Sequence, residues 1–593
     1  MAYPGNKGVW RNSVQEILPL RKKARGTNSY DIYPTVKLRE QLIFSGFDLL
    51  AEKVSVYKNI IIECYSGVFI DHFTGILADL LRAKGYSVSV TETSSCFRPP
   101  EEIDAIAAPF LGNGDPLFGK KTSVQLEDLL DHNKFDSVRP RKKSDINIFA
   151  GPGASLAGWE GVLIYIDLPR NEIQYRARAG SILNLGTASP ADPEIMYKRF
   201  YFFDWVILNR HKESLLPDIN IFVDGQRPEM PVWVSGQTLR YSLRSVSRTP
   251  FRVRPWFEPG SWGGTWIRDR IEGLSKDTPN YAWSFELITP ENGIILESSG
   301  LMMEFSFDFL MFQEARAVLG DCHKEYGNFF PLRFDFLDTF NGGNLSLQCH
   351  PRPEYIKKNF GEPFTQEETY YILDAKEDAS VFLGFREDID PDLFRADLEN
   401  SFLRKEPVDE GKYILSHPSK KHDFFLVPYG TIHGSGRNNL VLEISTTPYI
   451  FTFKLYDWLR PDLNGRLRNL NIARGFENLF FDRKGSYVNE KLISKPVLLE
   501  EGPGWKKFEL PTHETHSYAV HRYHFTGEIK VRTAEKCLVL NLTEGKSIIV
   551  TDQAGAKQHF SYAETFIIPA AAGEVKILND SDGECILVSA FIK

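Results

Sequence analysis

At 593 residues the chain is too long for one hydrophobic core, and with 42% hydrophobic and 25% charged residues it has the composition of a folded protein of two to four domains. A net charge of −8 with scattered basic residues argues against nucleic acid or an anionic membrane as the main partner. No run approaches the ~18 apolar residues of a membrane span, the N-terminus lacks the apolar core of a secretion signal, and six cysteines without C-x-x-C spacing read as reduced thiols, so a cytoplasmic protein is expected.

Residues 1–235 read as an α/β domain. Residues 59–63 form a buried-strand pattern, 71–84 carry Phe73, Leu77, Leu80 and Leu81 at helical spacing, Gly85 suits a helix C-cap, and 86–91 read as the next strand. That succession predicts a β-α-β unit. Two more strands are expected within 145–153 and 161–169, each ending in loop residues. The layout resembles the P-loop nucleoside and uridine kinases, in which a strand runs into a phosphate loop and a later strand ends in Asp-x-Pro, as Asp167-Leu168-Pro169 does. A working phosphate cradle needs backbone N–H groups presented by glycines, a Lys for the phosphates and a Ser or Thr for magnesium. The loop here is Cys64-Tyr65-Ser66-Gly67-Val68-Phe69-Ile70-Asp71, with Ile70 at the Lys position and Asp71 at the hydroxyl position. A carboxylate there repels polyphosphate, so a kinase-like scaffold without ordinary ATP chemistry is expected.

Strands are predicted at 232–234 and 237–247, leading into a second domain at 236–490. Within it, helices are expected between 351 and 368 and between 388 and 404, with Asp390 or Asp392 as N-cap of the latter. Residues 491–593 read as a third domain of short strands at 529–531, 537–541, 547–550 and 565–568, joined by glycine turns, the pattern of a β-sandwich or jelly roll. His521 and His524 are three apart, hence on opposite faces of a strand, and no metal is expected there.

The second domain carries the chemistry. Gln348 and His350, two apart in a strand-like run, share one face and offer an amide oxygen beside an imidazole. Those are half of a divalent-metal site if a carboxylate and a second His arrive from elsewhere. Glu368, at the entry to an aromatic and β-branched strand, and His433, after the turn at 427–432, are the candidates. Each alone has an ordinary role: a hydrogen-bonded polar pair, a solvated charge at a strand start, a histidine bonded to a loop carbonyl.

Together with their neighbours these residues resemble the type I mannose-6-phosphate isomerases, zinc enzymes built on cupin β-barrels. The resemblance rests on Trp262-Gly263-Gly264, on Trp283-Ser284-Phe285-Glu286-Leu287, on the run from Phe330 to Asp338 followed by Leu345-Ser346-Leu347-Gln348-Cys349-His350-Pro351, on Pro428-Tyr429-Gly430-Thr431-Ile432-His433, and on Phe453-Lys454-Leu455-Tyr456-Asp457 with Arg460. It does not explain the N-terminal α/β domain; after it, the resemblance implies two cupin jelly-roll barrels with helical insertions, the C-terminal one degenerate. It implies Zn²⁺ on Gln348, His350, Glu368 and His433, and interconversion of mannose 6-phosphate and fructose 6-phosphate through an enediol. The family's Lys two residues before the ligand Glu is Gln366 here, which cannot titrate, and its Arg in Tyr-Arg-Leu-Tyr-Asp is Lys454. Lys454 is a candidate proton carrier or phosphate partner; Arg460 and Arg437 are further candidates for the phosphate, and Ser346 and Gln366 for substrate contact. The alternative is a non-catalytic, metal-containing sugar-binding or regulatory cupin protein that has lost the base.

Overall fold

The structure is a computed structural model that describes residues 9–23, 29–289, 291–448, 451–462 and 465–593. The first eight residues, on which the expected lack of a secretion signal was read, lie outside the described residues. The chain forms two compact units. One comprises Met1–Ala24, Tyr33–Ser247 and Pro290–Glu314; the other comprises Arg25–Ile32, Arg248–Thr289 and Ala315–Lys593. Among the described residues no helix is long and apolar enough to cross a membrane.

The first unit is built on a seven-stranded sheet: β1 (Phe44–Ser45), β2 (Asn59–Cys64), β3 (Val88–Glu92), β4 (Ile146–Ala150), β5 (Val162–Asp167), β6 (Ile221–Asp224) and β7 (Val232–Ser235), in the spatial order β1-β7-β6-β5-β2-β4-β3. From β3 to β6 all pairings are parallel, while β7 and β1 add antiparallel at the other edge. The central strands are largely apolar because both faces are covered: on one, Ile60, Ile62, Ile148, Ile164 and Val223 pack with Leu50 and Val54 of α1 (Phe47–Val54) and with Phe73, Leu77 and Leu81 of α2 (Ile70–Ala83), and on the other Tyr165 and Phe222 meet Phe309 edge to face. β2, α2 and β3 follow one another as expected, but β4 inserts between β2 and β3, so the crossover spans a strand.

One expectation fails here. Residues 237–247 are not a strand but lie in α3 (Gly236–Val246), whose N-cap Ser235 accepts a hydrogen bond from the Thr238 N–H at 3.0 Å. Leu239, Leu243 and Val246 are buried at helical spacing, and that period outweighs the strand-like residues upstream.

Residues 291–314 return to this unit: Gly293–Ser298 and Leu301–Ser306 form a small sheet with Thr35–Lys37. Asp167 holds them. Its Oδ2 accepts from the Ser306 N–H at 2.9 Å and the Ser306 hydroxyl at 2.5 Å, while the fully buried Lys212 ammonium lies 3.7 Å from Asp167 and 3.5 Å from Asp308. The Asp of Asp167-Leu168-Pro169 therefore fastens the returning segment.

The second unit contains two antiparallel sheets that carry the candidate site. The larger uses β8 (Trp256–Glu258), β9 (Trp283–Leu287), β10 (Leu332–Asp338), β12 (Glu367–Ala375), β15 (Phe424–Val427), β17 (Asn439–Thr446) and β19 (Ile493–Ser494), ordered β19-β15-β12-β17-β10-β9-β8. The smaller uses β11 (Leu347–Cys349), β13 (Ser380–Phe385), β14 (Ile414–Pro418), β16 (His433–Ser435) and β18 (Phe453–Tyr456), ordered β14-β13-β16-β11-β18. The expected helices are α4 (Pro353–Phe360) and α5 (Pro391–Arg404); Asp390 caps the latter by accepting from the N–H groups of Asp392 and Leu393. The C-terminal strands form a six-stranded and a four-stranded antiparallel sheet around Leu540, Leu542, Ile548, Val550, Phe566 and Leu587. His521 packs against Phe591, and His524 Nδ1 lies 3.1 Å from Glu584.

Candidate metal centre

The site forms where the inner faces of the two sheets of the second unit meet. Gln348 lies at the middle of β11, directly opposite His433 at the start of β16. His350 follows the end of β11, where Arg352 turns the chain away by donating its backbone N–H to Asn478 Oδ1 (2.8 Å) and its side chain to the Asn478 carbonyl (2.8 Å). Glu368 comes from the second position of β12. The turn before His433 has a backbone reason for its glycine: Gly430 sits at φ +71°, its N–H donates to the His350 carbonyl at 2.9 Å, and a Cβ would stand 2.6 Å from the Asn478 carbonyl.

His350, Glu368 and His433 are fully buried, with Glu368 Oε2 at 3.0 Å from His350 Nε2 and Glu368 Oε1 at 2.8 Å from His433 Nε2. Among the described residues, they are the group of three His, Cys, Asp or Glu side chains whose ligand atoms all lie within 4.8 Å of one another. Each imidazole is oriented by its far nitrogen. His433 Nδ1 donates to the Thr431 carbonyl at 2.9 Å and His350 Nδ1 to the Phe451 carbonyl at 3.3 Å, which leaves both Nε2 lone pairs facing the carboxylate. His350 Nε2 and Glu368 Oε1 are buried and have no hydrogen-bond partner among the described residues, so the contacts are convergent lone pairs. That is the donor set and orientation a zinc-like cation requires.

Gln348 is 8% exposed; its Nε2 lies 3.3 Å from His433 Nε2 and its Oε1 accepts from the Ser346 hydroxyl at 3.0 Å. In this orientation the amide nitrogen, not the oxygen, faces the cluster. A half-turn of the amide exchanges them, and Ser346, which both donates and accepts, satisfies either arrangement. Gln366 is also buried and donates from Nε2 to Glu368 Oε2 at 2.9 Å and to Glu443 at 3.5 Å, so it orients the Glu368 carboxylate and cannot itself titrate.

Lys454 pairs across β11 and β18 with Gln348 and therefore shares its face. Arg460 binds Asp457 at 2.6 Å, as Arg468 does at 2.9 Å, so two guanidinium groups flank one carboxylate. Arg437 is different: its side chain is 63% exposed and bound to Asp378 at 2.8 Å in a surface turn.

Three residues not singled out from the sequence also face this site. Asp335 on β10 is directly opposite Glu443 on β17, Glu443 is directly opposite Tyr370 on β12, and Tyr370 is two residues beyond Glu368 on the same face. Burial, then repulsion from the neighbouring carboxylates, raises the Asp335 and Glu443 carboxyls well above the usual range. The Tyr370 ring lies 5.9 Å from that of His433. A signal was present: single acids inside Phe334-Asp335-Phe336 and Leu442-Glu443-Ile444, at the period of a strand.

The second unit is thus a β-sheet protein with a buried His-Glu-His centre suited to a divalent metal. Its relatives are named more narrowly. Over the C-terminal 58% of the chain it is 24% identical to mannose-6-phosphate isomerase ManA of Bacillus subtilis, across 99% of that protein. It is 25% identical to mannose-6-phosphate isomerase of Streptococcus mutans over 55% of this chain and 95% of that one. Among solved structures, that of the mannose 6-phosphate isomerase from Bacillus subtilis matches 58% of this chain and all of its own length at 24% identity, with a TM-score of 0.48. Residues 46–248 match a family described as a domain of unknown function, DUF8485.

Proposed function

We propose that the second unit is a metal-dependent aldose–ketose isomerase of cupin type, interconverting mannose 6-phosphate and fructose 6-phosphate or a closely related sugar-phosphate pair. The convergence of His350, Glu368 and His433, each imidazole held by a backbone carbonyl, carries the proposal. The similarity to mannose-6-phosphate isomerases along nearly their whole length supports it.

His350, Glu368 and His433, with Gln348 once its oxygen is turned inward, would hold Zn²⁺. The ion would polarise the sugar's oxygens and so lower the cost of the negative charge that develops as a proton leaves C2. The protein must then carry that proton between C2 and C1. Gln366 cannot, and Glu443 with its neighbour Asp335 supplies carboxyls on the same face. We assign the proton transfer to Glu443, and to Lys454 and Arg460 the attraction of the phosphate. Lys454 lies beside Gln348, and Arg460 with Arg468 leaves a net positive charge around Asp457. Arg437, exposed and bound to Asp378, has less claim to the phosphate.

For residues 1–235 the proposed role is a kinase-like scaffold that does not transfer phosphoryl groups, since Ile70 and Asp71 occupy the positions of the phosphate-binding Lys and magnesium-binding hydroxyl.

The test is exchange of the C2 proton of mannose 6-phosphate in D₂O, followed by NMR with the zinc-loaded chain beside a His350→Ala control. Exchange with formation of fructose 6-phosphate, absent in the control, is the expected result. Stoichiometric zinc without exchange of any sugar phosphate would instead support the non-catalytic sugar-binding function.

A further inference from the structure

The first unit has a cavity of its own. It measures about 490 Å³, within the range of small-molecule sites, and opens at the carboxyl ends of the parallel strands β2, β3 and β4. Open parallel sheets bind ligands in this crevice, where neighbouring strands send their loops in different directions.

The crevice is preformed. The loop after β2 is fastened by the fully buried Arg176, which donates to the Gly67 carbonyl at 2.9 Å and to the Gly225 carbonyl at 3.0 Å. The Tyr65 N–H donates to the Ile166 carbonyl at 3.0 Å.

Its polar groups are specific. The Ser66 side chain, on a residue only 9% exposed, lines the cavity and forms no hydrogen bond among the described residues. Thr93, fully buried just after β3, lines it too, and its Oγ1 has no partner among the described residues. Asp71, in the first turn of α2, and Glu92, the last residue of β3, add two carboxylates. Two cations stand at the rim, each paired with an acid one helical turn away: Arg98 with Glu102 at 3.5 Å, its Nε buried without a hydrogen-bond partner among the described residues, and Lys134 with Asp131 at 3.6 Å. Phe69, Phe97 and Ile182 supply apolar wall.

Two carboxylates and two unpartnered hydroxyls facing an apolar wall match a ring with several O–H groups: the carboxylates accept from neighbouring hydroxyls, the serine and threonine donate or accept, and the wall covers the ring face. A phosphate meets the opposite. The helix N-terminus that ordinarily attracts an anion carries Asp71 in its first turn with Glu92 beside it, and the rim cations Arg98 and Lys134 face carboxylates of their own in Glu102 and Asp131.

We propose that this cavity binds an uncharged ring bearing vicinal hydroxyls, either a free sugar or the ribose of a nucleoside, and discriminates against its phosphate ester. The site would therefore recognise the unphosphorylated counterpart of the kind of ligand proposed for the second unit. It does not depend on that proposal.

Calorimetric titration of the full chain tests it. The probes are mannose, fructose, ribose, uridine and adenosine, each beside its monophosphate, titrated in the His350→Ala background so that binding at the metal centre does not contribute. At least one uncharged probe is expected to bind once per chain, with its monophosphate at least tenfold weaker and with binding weakened about tenfold by Asp71→Asn or Ser66→Ala. Both substitutions are expected to leave the thermal midpoint unchanged. Millimolar probes that all fail to bind would overturn the proposal. So would monophosphates that bind as tightly as the parent compounds, or binding indifferent to Asp71→Asn, Glu92→Gln and Ser66→Ala alike.

Discussion

Glu368 Oε1 and His433 Nε2 lie 2.8 Å apart in a fully buried pocket without a hydrogen bond between them. The imidazole proton is on the other nitrogen, committed to the Thr431 carbonyl, so two lone pairs face each other. Such a contact is unfavourable unless a cation or proton sits between them. His433→Ala and His350→Ala are each expected to lower zinc affinity by more than the 10–100-fold that loss of an outer partner costs. Metal analysis after dialysis at limiting zinc reads the result. Wild-type-like zinc content in both variants would remove the metal centre.

Gln366 donates to Glu368 Oε2 at 2.9 Å and orients the carboxylate. Gln366→Leu keeps the bulk and removes the donor, so zinc affinity should fall 10–100-fold, the usual effect of deleting a partner of a metal ligand. Competition with a chromophoric chelator gives the number, and an unchanged affinity would reduce Gln366 to packing.

The convergence of His350, Glu368 and His433 was legible because each lies in a local pattern and the patterns occur in the order of the family that the chain resembles. Gln348 and His350 are two apart in a strand-like run, and Glu368 and His433 sit at a strand entry and after a turn with recognisable composition. The carboxyl pair Asp335 and Glu443 was not, because nothing local says that β10 and β17 pair in that register. The same holds for Asp167, whose partner Ser306 is 139 residues away. The strand expected at 237–247 failed for a different reason: the cap at Ser235 and the helical spacing of Leu239, Leu243 and Val246 are local signals that specify a helix.

Glu443→Gln separates proton transfer from metal binding. The amide is nearly isosteric, and removing one of two mutually repelling buried carboxyls should leave stability equal or higher. Turnover should fall by about 10²–10⁴-fold with zinc content unchanged. Retained turnover would move the proton transfer to Lys454, which Lys454→Met then tests: a rise in KM with kcat preserved marks a phosphate partner, and a loss of kcat marks the proton carrier.

Arg252 holds the second unit together electrostatically. It lies 2.7 Å from Glu564 and 3.7 Å from Glu286, with all three side chains at most 3% exposed, and Tyr30 and Ser284 donate to the same Glu286. Arg252→Met leaves two buried carboxylates without their cation and should cost about 3–5 kcal/mol. The triple change with Glu286→Gln and Glu564→Gln should recover much of that loss. Urea titrations of the three proteins decide it, and a single variant as stable as wild type would contradict the buried-cluster account.

Acid should weaken the second unit through its histidines. Burial, then Lys421 and Arg522, push His422 down to about 4; burial and Arg483 do the same to His513, and burial and Lys507 to His521. All three are therefore neutral in the folded chain, whereas the unfolded chain protonates them near pH 6.5. Stability from this source is fully present above about pH 6.5 and is lost as pH falls toward about 4, because the unfolded state then binds roughly three more protons. Denaturant midpoints followed across that window should drop with acidification. The drop should be smaller in a variant carrying His422→Gln, His513→Gln and His521→Gln. A variant whose midpoint tracks the wild type throughout would show that these imidazoles are not held neutral by the fold.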